Sequence, residues 1–210
     1  MVEIDETMRD LSTLYEVIGG RDNYQLWDET AIHGRGLEEI KTELEERQNL
    51  ENSEEPEKTG KHVNRQQIID YWEILQYTGL MDQDMQLTDF GENWAERTRS
   101  AVQSLYMSNA DIGDDREKIG HIFYTLGVEE VLPTIYILHE GEQLSEHLEP
   151  GAAQLSIDQM FNQGFITDEA YRNMSWDTEQ DVLTDKADTV YHEIVEKDYD
   201  WLKIQNLICR

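Results

Sequence analysis

Residues 58–91 read KTGKHVNRQQIIDYWEILQYTGLMDQDMQLTDFG. From Lys58 to Ile69 the stretch carries Lys58, Lys61 and Arg65 and no acid, in a chain whose 46 acids and 17 bases give a net charge of −29. Ile68, Trp72 and Leu75 recur at i, i+4 and i+7, the period of an amphipathic helix. Asn64 supplies an N-cap, and Gln67 stands at the third position for a capping box. Gly79 suits a left-handed C-terminal cap. Leu80-Met81 and Met85 to Leu87 then bracket Asp82-Gln83-Asp84, a span short enough for a small β-hairpin. Thr88 or Asp89 caps a second helix, on which Phe90, Trp94, Ala101 and Leu105 keep the 3.6 period.

Upstream, Ile4, Met8, Leu11 and Ile18 predict a helix over 3–18, stopped by Gly19-Gly20. Tyr24, Leu26, Trp27 and Ile32 fit a short helix or an irregular segment. Leu37, Ile40 and Leu44 predict a helix over 37–50, and residues 49–60 form a polar loop with Pro56 and Gly60. Downstream, the small, acidic, turn-rich residues 109–115 mark a boundary, giving domains 1–108 and 109–210. Two apolar helices follow over 119–126 and 128–138. Leu144 and Leu148 lie on a short helix, Pro150-Gly151 makes a turn, and another helix runs to Gly164. The pattern Gly79-Leu80-Met81 with Leu87-Thr88-Asp89 is echoed by Gly164-Phe165-Ile166 with Leu183-Thr184-Asp185. Between the echoed pieces, AYRNMSW over 170–176 is a candidate strand.

The order helix, glycine stop, hairpin, helix, carried by QQIIDYWEILQYTGLM and MQLTDFGENWAE, resembles winged helix-turn-helix proteins, especially archaeal transcription regulators, over roughly residues 36–106. With the echo counted, the resemblance implies a mainly α fold with small β-hairpin wings, arranged as tandem winged-helix domains. In that family the second helix of the motif enters the major groove of DNA with its N-terminal residues. Here those are Asn64, Arg65, Gln66 and Gln67, whose guanidinium and amides suit guanine and adenine edges. Lys58 and Lys61 would meet phosphates, and Gln83 or Gln86 would touch the backbone from the wing. The chain departs from the pattern at Asp70 and Glu73 on the same helix, and at Asp82 and Asp84 where a wing carries bases. Lys58, Lys61 and Arg65 read equally as ordinary surface bases pairing with Glu54, Glu55 and Glu57.

The bases are ten Arg and seven Lys, and acids are dispersed through every segment. This resembles haloarchaeal proteins, whose carboxylates keep surfaces hydrated in concentrated salt. At such ionic strength the Debye length is about 3 Å, so self-repulsion is largely screened. An acidic mesophilic interaction protein is the other reading. Counterion release loses its driving force in molar salt, so a small patch of base-reading amides would suit such a setting better than a broad basic face. Cations held between carboxylates and phosphates would then stand in for missing bases. The single cysteine, Cys209, excludes an internal disulfide and points to the cytoplasm. No run reaches the ~18 apolar residues of a membrane span.

Little points to an enzyme: there is no phosphate-binding glycine loop, dinucleotide fingerprint or nucleophile elbow. HEGEQLSEH places His139 and His147 eight apart, a poor metal spacing. Asp28 with Glu39-Ile40-Lys41 is a faint nuclease-like pattern on a segment that reads as helix. No cofactor and no metal are expected. The helix over 152–163 has no base, so the second domain, or the C-terminal helix ending in WLKIQNLIC, is assigned to homodimer contact or to its own core. The reading that follows is a sequence-specific DNA-binding transcription regulator, dimeric, cytoplasmic and adapted to high salt, with double-stranded DNA as partner. The alternatives are a winged-helix protein–protein interaction module and an acidic DNA mimic without direct DNA binding.

Overall fold

Apolar residues at helical spacing build most of the described chain into helices. The computed structural model describes residues 6–34, 39, 40, 42, 65–107, 116–173 and 182–208. In order these form α1 (Glu6–Ile18), α2 (Arg21–Trp27) running into a π-helical turn (Asp28–Ile32), α3 (Arg65–Tyr77), α4 (Asp89–Met107), α5 (Arg116–Gly127) and α6 (Val131–His139). A 3₁₀ turn (Leu144–Glu146) leads to α7 (Pro150–Asn162), α8 (Asp168–Asn173) and α9 (Asp185–Val190). A second π-helical turn (Tyr191–Val195) passes directly into α10 (Glu196–Ile208). Most of the helix expected over 37–50, the loop over 49–60, the Asn64 cap and the turn over 109–115 lie outside the described residues.

Two compact units emerge: Met1–Arg21 with Ser100–Arg210, and Asp22–Arg99, the division falling inside α4. In the first, α1 lies along α5 and also packs on α6 and α10. Two glycines permit the close crossing. A methyl on Gly19 would stand 2.5 Å from the Tyr124 backbone, and one on Gly127 would stand 2.5 Å from the Glu16 backbone. Gly20 N–H donates to the Gly120 carbonyl (2.8 Å), and Ser12 Oγ donates to the Gly127 carbonyl (3.1 Å). Leu11, Tyr15 and Ile18 of α1 are thereby buried with Ile119, Phe123 and Leu126 of α5. Helix α6 is buried on most sides, and its Thr134 hydroxyl meets Ser156 of α7 at 2.7 Å. Pro150, expected in a turn, instead opens α7, where its missing N–H costs nothing.

The second unit is built around Leu75, Leu80, Tyr71 and Trp94, all buried. Gly79, at φ +74°, ends α3, and the N–H groups of Leu80 (2.9 Å) and Met81 (3.1 Å) both turn back to the Leu75 carbonyl. Thr88 Oγ1 donates to the Gly79 carbonyl (2.6 Å) and accepts from Gly91 N–H (3.0 Å), so it caps α4. A methyl on Gly91 would overlap the Leu80 carbonyl, which makes glycine obligatory there.

This geometry corrects the expected fold. Leu80 is committed to the end of α3 and Thr88 to the start of α4, leaving one residue on each side to pair. Met81 and Leu87 form an isolated antiparallel bridge, and so do Ile166 and Leu183. No strand ladder occurs among the described residues, so the β-hairpin wings and the tandem winged-helix domains are not the architecture. The candidate strand over 170–176 is also overturned for its described part. Asp168–Asn173 is helical, with Ala170 N–H donating to Thr167 Oγ1 at 3.3 Å.

The sequence echo nevertheless has a local counterpart. Gly164, at φ +71°, ends α7, and Phe165 N–H returns to the Met160 carbonyl at 2.8 Å. Thr184 Oγ1 donates to the Gly164 carbonyl (2.7 Å) and accepts from Ala187 N–H (3.3 Å) at the start of α9. Among the described residues the likeness is this helix–glycine–bridge–threonine motif.

Candidate functional site

Of the residues assigned to DNA contact, Lys58, Lys61 and Asn64 lie outside the described residues, and Arg65 and Gln67 lie in the first turn of α3. Gln66 is exposed, but its amide donates to the Asp70 carboxylate one turn on (2.7 Å), which uses one of its two donors. Down the same face Asp70, Glu73, Ile74 and Tyr77 are exposed. The described side chains of that face thus carry two carboxylates and an apolar end, and no cation.

The turn that was to read the backbone serves itself. Asp82 Oδ1 accepts from Asp84 N–H (2.9 Å) and Gln86 N–H (3.0 Å), an Asx-type closure that explains an acid at this position. Met85 takes the left-handed conformation at φ +62° to complete it. Gln83 and Gln86 are exposed, the latter with its amide 3.4 Å from the Asp84 and Met85 carbonyls.

A concave site lies elsewhere, within the first unit. A cavity of about 140 Å³ is walled by Tyr136 of α6 and by Tyr191 and Tyr199 of the α9–α10 run, with Glu140, Glu196 and Asp200 beside them. Leu11 and Leu132 contribute apolar lining. The Tyr136 ring stands 6.1 Å from Tyr191 and 6.2 Å from Tyr199, tilted by 57° and 46°. The π-helical turn makes this possible: the Glu196 N–H reaches the Tyr191 carbonyl five residues back, shifting the register between the two rings. Burial, then Tyr136 and the carboxylates Glu140, Glu196 and Asp200, push the Tyr191 phenol above its ordinary range. Lys203 Nζ already stands 5.3 Å from the Tyr199 ring centroid, within cation–π range.

A histidine pair backs the pocket. His139 stacks on Tyr191 at 3.8 Å, and its Nε2 lies 3.2 Å from His192 Nε2. His192 Nδ1 is 3.1 Å from Glu196 Oε2, which fixes its proton on Nδ1 when the ring is neutral. Of the histidines of HEGEQLSEH, His139 meets His192, whereas His147 Nε2 lies 2.6 Å from Glu142 Oε2. Among the described residues no group of three or more His, Cys, Asp or Glu is placed to hold a metal.

The three tyrosines stand outside the motifs above, but the sequence carries a signal for them. Tyr191, Val195 and Tyr199 form one i, i+4, i+8 stripe, and His192, Glu196 and Asp200 form the stripe beside it. Among the described residues no helix is long and apolar enough to cross a membrane. No protein-family model, no curated protein and no solved structure matches the chain.

Proposed function

We propose that this chain is a non-enzymatic interaction protein of a salt-rich cytoplasm, and that the outward face of α3 docks a basic segment of a partner protein. One observation supports it: apolar exposure and negative charge share a helix face. Ile74 is 42% and Tyr77 92% exposed, with Asp70 and Glu73 on the same side. Exposed aromatic groups are the usual anchors of protein interfaces, and carboxylates around them select a cationic partner.

The competing reading is the DNA regulator, contacting duplex through Lys58, Lys61, Asn64, Arg65 and Gln67. Asp70 and Glu73 would face phosphates along the same helix, and each such carboxylate lowers affinity. That favours protein over DNA as the partner. Self-association of the C-terminal half is a separate proposal, supported by Leu155 at 67% and Ile204 at 55% exposure.

Affinity capture from the source cells in molar KCl tests the docking reading. A protein retained by the wild type and lost with Asp70→Lys/Glu73→Lys supports it. Duplex genomic DNA retained instead, and lost with Arg65→Ala, overturns it.

A further inference from the structure

We propose that the pocket walled by Tyr136, Tyr191 and Tyr199 is a binding site for an alkylated ammonium group. Tyr136 is tilted against both Tyr191 and Tyr199 instead of stacking on either, and all three line one cavity. Aromatic faces present the negative part of the ring quadrupole, and a cation within about 6 Å of the centroids is attracted by each. Glu140, Glu196 and Asp200 line the same cavity and add negative charge. Leu11, Leu132 and Val195 supply the apolar surface that methyl groups require.

The alternatives fit less well. Three carboxylates exclude an anion. A hard metal ion needs several oxygens converging at about 2.0–2.6 Å, and among the described residues no three His, Cys, Asp or Glu side chains are so placed. At about 140 Å³ the cavity is smaller than the roughly 300–1,000 Å³ of drug-sized pockets, but it accommodates a compact methylated head. The chain of contacts from Glu196 through His192 and His139 to Tyr191 holds one wall in place before any ligand arrives. Preorganisation of that kind reduces the ordering cost of binding.

The ammonium group has two sources, a free small quaternary amine or a methylated lysine side chain on another protein. Isothermal titration in KCl buffer distinguishes them, using choline, its neutral isostere 3,3-dimethylbutan-1-ol, and a peptide carrying trimethyllysine or unmodified lysine. Choline is expected to bind about tenfold or more tightly than the neutral isostere, as two or three cation–π contacts imply. Binding of both choline and the methylated peptide identifies the free cation as sufficient. Binding of the methylated peptide alone assigns the site to a modified protein. In either case Tyr136→Leu should abolish binding and Tyr136→Phe should retain it within about twofold, because the ring face is kept. Glu140→Gln with Asp200→Asn, both at exposed positions and so harmless to folding, should weaken binding several-fold. Equal binding of choline and the neutral isostere overturns the proposal. So does wild-type-like binding by a folded Tyr136→Leu variant, or no binding of either cationic probe. The α3 docking reading is untouched by each of these results.

Discussion

The Tyr15 phenol donates a 2.9 Å hydrogen bond to Asp198 Oδ2 across the buried contact between α1 and α10. Tyr15 is fully buried and Asp198 only 3% exposed, so an N-terminal residue satisfies a carboxylate that the C-terminal helix has drawn out of water. Removing the donor takes one hydrogen bond from a buried carboxyl. Tyr15→Phe should therefore destabilise the chain by about 1–3 kcal/mol. Tyr15→Phe combined with Asp198→Leu should recover part of the loss, as read by urea unfolding of the four members of the cycle.

The α1–α5 crossing depends on the missing Cβ atoms of Gly19 and Gly127. Gly127→Ala should cost about 1–3 kcal/mol by forcing backbones apart, and Gly19→Ala should behave alike. Gly151→Ala is the control, since nothing lies within 4 Å of a methyl there. It should raise stability by about 0.4–1 kcal/mol through the unfolded chain. Thermal melts of the three variants check the sign of each.

Burial raises the Tyr71 and Tyr191 phenols, and a hydrogen bond to Asp158 first, then desolvation, raises Tyr171. Groups whose folded pKa lies above the unfolded value hold their protons in the folded chain. The stability they contribute is complete below about pH 10, where unfolded tyrosine is neutral, and is lost as pH rises further. Absorbance at 295 nm should show part of the tyrosine titration delayed, then appearing together with loss of helical circular dichroism.

A charge of −29 on 210 residues repels itself wherever counterions are dilute. Raising KCl from 0.1 M to 2 M should stabilise the fold. A gain of about 2 kcal/mol would appear as a rise in Tm of roughly 4–8 °C. A melting temperature that falls or stays constant with salt would remove the salt-adapted reading.

How much of this was legible follows from which interactions are local. The 3.6-residue recurrence of Ile68 and Leu75, or of Ile119 and Leu126, marks helices because the period is a property of the segment alone. Gly79 and Gly164 stop their helices for the same reason, and each sits at positive φ. The absence of hairpins from the described residues is not legible in sequence, because Leu80-Met81 and Leu87 carry the right polarity for strands. Whether they pair as a ladder depends on Leu75 and Thr88 claiming the neighbouring backbone groups, which no window of composition reveals. The pocket was hidden for a further reason: its walls come from residues 136, 191 and 199, and a π-helical turn sets the register between the last two. The Gln66–Asp70 bond was within reach of sequence, since i and i+4 share a helix face.

The docking of α3 on a basic protein is tested most directly by placing a photo-reactive benzoylphenylalanine at position 77 and irradiating the source cells. One covalent protein adduct is expected at this position, absent when the same residue replaces exposed Thr13 and lost when Asp70→Lys and Glu73→Lys are added. Cross-linking to duplex DNA, or no adduct that depends on those two carboxylates, would contradict it.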